Sequence, residues 1–249
     1  IGAGFSDPAI AALIAYVREF KDNRLRRQSE LPLLIEPKLA PPGFGAGPVV
    51  LGQIGVYTQH NDNARTGANL SETTLTPANV NSRQFGLLFR HDVDDEVYAQ
   101  PLYVPNLAIA GGHHNVVFVA TVANTIYAFD ADRDAPAYWT INLGVPGSVQ
   151  LHPFWCQDIL GKMGIIGTPV IDPATRTLYV VALTYEGGGF VQRLHALDIV
   201  TGKDRPASPV VIAADDFDSI LQNQRPALLL SQGSVYVGYA SHCDVEPYH

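Results

Sequence analysis

The sequence predicts an all-β fold, a β-propeller of four-stranded antiparallel blades with a short helix ahead of it. Three observations carry that expectation. Proline-led apolar runs recur at Gln100–Val104, Thr168–Asp172 and Arg225–Leu229. A second apolar run follows each, at Val116–Ala120, Leu178–Ala182 and Val235–Tyr239, and a third follows the first two, at Ile126–Asp130 and Leu194–Asp198. The 22 glycines and 18 prolines suit many tight turns between short strands. Long-period repetition of β-rich units is the mark of an array of small sheets.

Taken in chain order, residues 6–27 read as a helix. Ser6 or Asp7 caps it, Pro8 fits the first turn, and Ile10, Leu13, Ile14, Val17 and Phe20 form one apolar stripe. Arg24, Arg26 and Arg27 gather at its C-terminal end, where the helix dipole favours cations. Residues 28–56, with five prolines and interspersed glycines, read as a semi-extended linker.

The β-rich region covers residues 57–249. Its first unit places strands at Val97–Val104, Asn115–Thr121, Thr125–Asp130 and Tyr138–Leu143. The second places them at Ile166–Ile171, Thr177–Thr184, Val191–Asp198 and Pro209–Ile212. Asp172-Pro173-Ala174-Thr175 supplies one of the turns. The third unit begins near residue 225. The spacing between units exceeds the roughly 40–50 residues of a compact blade. The excess falls in 144–164 and 213–224, which read as loop insertions on one rim. The total amounts to roughly two and a half to three and a half blades, where a closed ring takes about 4–8. The chain is therefore expected to be the front part of a longer protein, and the lack of a signal peptide in it says nothing about compartment.

Composition narrows the partners. The chain is 47% hydrophobic and carries a formal net charge of −8, which argues against a nucleic-acid backbone as partner. No apolar run reaches the roughly 18 residues of a membrane span. Cys156 and Cys243 match no haem or zinc spacing, and two arrangements stay open for them, one disulfide or two separate thiols.

The segments Asn61-Asp62-Asn63-Ala64-Arg65-Thr66-Gly67, Leu75-Thr76-Pro77-Ala78-Asn79-Val80 and Phe85-Gly86-Leu87-Leu88-Phe89 resemble the leading segment of pyrroloquinoline quinone (PQQ) dehydrogenase-type propellers. Leu194-His195-Ala196-Leu197-Asp198-Ile199-Val200-Thr201-Gly202 and Ile126–Asp130 with Trp139 resemble that family's repeat, an A-L-D-x-x-T-G turn followed by tryptophan. Each copy is partial. The first has the tryptophan but Asp130-Ala131-Asp132-Arg133-Asp134 in place of the turn, and the second has the turn without the tryptophan. The vicinal cysteine pair of many alcohol-oxidising members is absent, and Gln100 stands where those enzymes often place a glutamate. The helix over 6–27 is similar to the C-terminal helix of class I cytochrome c domains.

The resemblance implies a periplasmic or extracellular redox protein that oxidises alcohols or sugars with PQQ and calcium. It would pass electrons to a cytochrome c domain upstream, where haem c would lie. Gln100, Asn63, Arg65, Asp158, His242 and Asp244 are the candidate cofactor-binding residues. Four of them have a plainer alternative: Asn63 and Arg65 as turn-forming and blade-bridging side chains, His242 and Asp244 as a hydrogen-bonded turn lining the channel. No metal site is expected from spacing in this chain. The other function left open is a non-catalytic propeller that binds protein or glycan.

Overall fold

The structure is a computed structural model that describes residues 54–148 and 158–244. The helix expected over 6–27, the linker as far as residue 53, Cys156 and the last five residues lie outside the described residues. Within them the fold is all-β, and the helical pieces reduce to a 3-10 turn at His242–Asp244.

Sheet 1 is built from β1 (Leu102–Ile109), β2 (Gly112–Ala120), β3 (Thr125–Asp130) and β4 (Trp139–Asn142), in that spatial order and antiparallel throughout. Sheet 2 repeats the plan with β5 (Val170–Asp172), β6 (Thr177–Glu186), β7 (Gly189–Asp198) and β8 (Val210–Val211). Two small pairs follow, β9 (Gln222–Asn223) with β12 (Ala240–Ser241) and β10 (Leu229–Ser231) with β11 (Ser234–Tyr236).

The first strand differs most from expectation. It starts at Leu102 rather than Val97 and continues past Pro105 to Ile109. Proline lacks the N–H that a ladder needs, so Pro105 would end a regular strand. The strand accommodates it with a bulge between Val104 and Leu107, and Asn106 takes a left-handed φ of 52°. The preceding residues Val97–Gln100 are spent elsewhere: Glu96 O accepts Val122 N–H, and Gln100 N–H reaches Thr168 Oγ1.

The three units pack face to face in chain order. Leu102, Val104, Val116, Phe118 and Ile126 of sheet 1 meet Ile171, Leu178, Val180 and Leu197 of sheet 2 in one buried layer. The opposite face of sheet 2, with Val170, Tyr179, Val181 and Leu194, packs against Leu228 and Val235 of the third unit. Sheet 2 is thus covered on both sides, which is why β6 reads as an unbroken apolar run, Leu178–Leu183, instead of alternating. Each fully buried Leu or Ile of these layers stabilises by about 1.5–3 kcal/mol relative to exposure.

The leading ends of the units are tied along one line of hydrogen bonds. Thr168 links Gln100, through its hydroxyl, to Leu228, whose N–H donates to the Thr168 carbonyl at 2.9 Å. The leading segment crosses that line. Val56 bridges to Tyr103 of β1, and Tyr57 O accepts Ile171 N–H of β5.

Candidate functional site

Two places gather polar side chains. The first is the inner crossing of the leading segment. His60, Asn61 and Arg65 adopt positive φ, and Asp62 caps the turn by accepting the Thr66 N–H and hydroxyl. The turn aims Arg65 inward. Its guanidinium donates to Thr58 Oγ1, to Gln59 O at 2.8 Å and to Leu228 O at 2.9 Å. Burial pulls the Arg65 pKa below its ordinary value, against the opposing pull of Asp62. Asn63 Nδ2 donates to Leu230 O at 2.9 Å. Gln100 Oε1 accepts the His60 N–H at 3.0 Å. Three of the six candidate residues therefore join the leading segment to sheet 1 and the third unit.

The second place is where the loop bearing Asp158, the loop that ends at β9 and the turn at His242–Asp244 meet. His242 Nδ1 lies 2.8 Å from Asp158 Oδ2, across 84 positions of sequence. The imidazole is buried and the carboxylate is about a third exposed. A carboxylate only accepts, so Nδ1 carries the hydrogen. Asn223 Nδ2 approaches the same oxygen at 3.4 Å, a long contact, and Leu221 O accepts the His242 N–H at 3.0 Å. Gln192 Nε2, from β7, clamps the loop by donating to Ser219 O and Gln222 O. Cys243 is disulfide-bonded, with left-handed φ at it and at Asp244, so the turn bearing His242 is covalently anchored. Asp244 is exposed on that turn.

A carboxylate that fixes the tautomer of a buried histidine is the arrangement that orients a base or a hydrogen-bonding group. Asp158 and His242 are the two candidates that folding brings together. The amides Gln192, Gln222 and Asn223 were absent from the candidates. Their signal was present: Gln222-Asn223-Gln224 is a run of three amides just ahead of Pro226, and all three are buried.

The group implied by the resemblance, a quinone with calcium, asks for convergent oxygen donors and a polar contact to the quinone. Among the described residues no three His, Cys, Asp or Glu side chains come together. The Gln100 amide oxygen and the Arg65 guanidinium already bond to the protein. The described residues alone do not fit that group.

One contact between sheets joins the two partial repeats. Trp139 Nε1 on β4 donates to Ile199 O at 3.0 Å, and its ring lies over Gly202, where an added Cβ would sit 2.6 Å from a ring carbon. The turn itself is held by Asp198, whose carboxylate accepts the Val200 and Thr201 N–H groups. The tryptophan kept by the first unit thus docks on the Asp198–Gly202 turn kept by the second.

Comparison with protein families, with curated proteins and with solved structures finds no match for this chain. Among the described residues, no helix is long and apolar enough to cross a membrane.

Proposed function

We propose that residues 57–244 are consecutive blades of a quinoprotein-type β-propeller within an exported redox protein. On this reading the whole protein oxidises an alcohol or sugar with PQQ and calcium and hands electrons to a cytochrome c domain. The observation that carries the reading is the seating of Trp139 on the Ile199–Gly202 turn of the following sheet. Two half-repeats that each look degenerate form one complete contact between neighbours. The packing of three successive units in chain order supports it as well. The Cys243 disulfide supports export, since disulfides persist in oxidising compartments.

One observation favours a second reading, a propeller that binds protein or glycan without catalysis. Gln100 and Arg65, two of the candidate cofactor-binding residues, are engaged within the chain. On that reading the working surface is the rim around Asp158 and His242.

The experiment that separates the two titrates the whole protein with PQQ in the presence of calcium, followed by quinone absorbance. Dye reduction is then measured with a panel of alcohols and sugars. Saturable quinone binding with substrate-dependent reduction supports the redox reading. Absence of quinone binding removes it, and a glycan array then tests the rim directly.

A further inference from the structure

The turn that carries His242 is built from residues that do not favour its shape. Cys243 and Asp244 stand side by side at φ 49° and 56°. Glycine takes that left-handed region freely and aspartate visits it, but the Cβ of a cysteine crowds the following carbonyl there. The ladder ahead of the turn is two pairs long, Ala240 with Asn223 and Ser241 with Gln222. A strained backbone persists where its surroundings over-determine it. Here the added constraint is covalent, because Cys243 is disulfide-bonded.

Exposure changes sharply along the same turn. His242 is 4% exposed, whereas Cys243, the next residue, lies open to solvent. A reductant can therefore approach Cys243 while the imidazole beside it is enclosed. Exposed disulfides are the ones that exchange readily, in contrast to enclosed structural bridges. Two contacts of His242 cross to other loops, Nδ1 to Asp158 Oδ2 at 2.8 Å and N–H to Leu221 O at 3.0 Å. Both depend on where the turn sits.

We propose that the Cys243 disulfide is a redox latch on the Asp158–His242 pair. Reduction by a dithiol lets the backbone at 243–244 leave the left-handed region, and His242 swings off Asp158 into solvent. The step is thiol–disulfide exchange. The dithiol closes to its own disulfide, and its two electrons and two protons leave the protein with two thiols. Oxidised, the protein holds a buried imidazole with its hydrogen fixed on Nδ1. Reduced, it presents an accessible imidazole that takes either tautomer. A histidine able to exchange protons with solvent or with a bound ligand is thus supplied or withheld by the state of one bond. The latch stands on this geometry and holds for either reading of the function.

The test uses the full 249-residue chain, oxidised and after treatment with dithiothreitol, with free thiols counted in each state. Histidines are labelled with diethyl pyrocarbonate and followed peptide by peptide by mass spectrometry. His242 should react roughly tenfold faster in the reduced protein, as a group freed by local opening does. His195, in sheet 2 and 5% exposed, should stay slow in both states. Reoxidation should restore slow labelling of His242. Cys243→Ser should label like the reduced wild type, and if that variant fails to fold, the reductant series on the wild type gives the same reading. A His242 that stays enclosed after full reduction overturns the proposal. So does acceleration of His195 alongside it, which would make the disulfide a prop for the whole fold and not a latch on one turn.

Discussion

His195, in the middle of β7, has one ring nitrogen committed and the other stranded. Nδ1 lies 3.1 and 3.2 Å from the two Asp204 oxygens, which fixes the hydrogen on Nδ1. Nε2 is buried with no partner. Protonating it would bury a new donor without an acceptor, and burial holds its pKa below 6.5, with Asp204 pulling weakly the other way. The unfolded chain therefore takes up this proton more readily than the folded one. The resulting stability is fully present above pH 6.5 and is lost as pH falls toward the folded value. His195→Gln keeps an amide to donate to Asp204 but cannot titrate. Its unfolding free energy should vary less steeply than wild type below pH 6.5, read from denaturant melts at a series of pH values. Equal slopes would rule out His195 as the source. The buried carboxylate Asp130 shifts in the same direction for a different reason. Burial alone would raise its pKa, but the Tyr138 hydroxyl, the Asp132 N–H and Arg133 together hold it below the usual range.

At the scale of elements, the contact between β4 and the turn after β7 is the sharpest point to probe. Gly202 has a φ of 70° and sits under the Trp139 ring. Gly202→Ala pays twice, in backbone strain and in collision with the indole, and should cost about 2 kcal/mol or more. Trp139→Phe keeps a ring there but loses the donor to Ile199 O, for about 1 kcal/mol. The pair should be non-additive in a double-mutant cycle, because the smaller ring makes room for the new methyl. Strict additivity would mean that the two residues do not meet as described. This element was half legible in the sequence. The turn could be read from Asp198-x-x-Thr201-Gly202 and the tryptophan from its place after β3, but that one completes the other across sheets is a tertiary fact.

The same split holds for the strands. β2, β3, β6 and β7 could be read from their continuous apolar runs, and their cores fall where expected. β1, expected over Val97–Val104, runs over Leu102–Ile109, because a bulge between Val104 and Leu107 carries the strand past Pro105, where a regular ladder would stop. β9 and β12 are two-residue strands of polar amides and small residues, and nothing in the period of so short a run distinguishes it from loop. At the rim, Asp158 and His242 could be named from residue type alone. Their pairing depends on the loop that carries Asp158 folding against the turn at His242–Asp244, 84 positions away, which spacing does not encode.

For the whole molecule, the disulfide at Cys243 and the inner ties divide the work. The disulfide anchors the rim turn that holds His242 on Asp158. Reducing it should lower the unfolding free energy by about 2–4 kcal/mol, measured by denaturant melts with and without reductant. No change on reduction would show that the turn holds without it. The inner ties act at the other end. Arg65 reaches 163 positions along the chain to Leu228, and Asn63 of the same turn reaches Leu230.

That reach sets a clock on biosynthesis. At a ribosomal pace of about 5–20 residues per second, Arg65 waits roughly ten to thirty seconds before its distant acceptor is made. Through that interval the Arg65 guanidinium has only its near neighbours Thr58 and Gln59 to bond, and the leading segment stays open to proteases and chaperone capture until Leu228 is made.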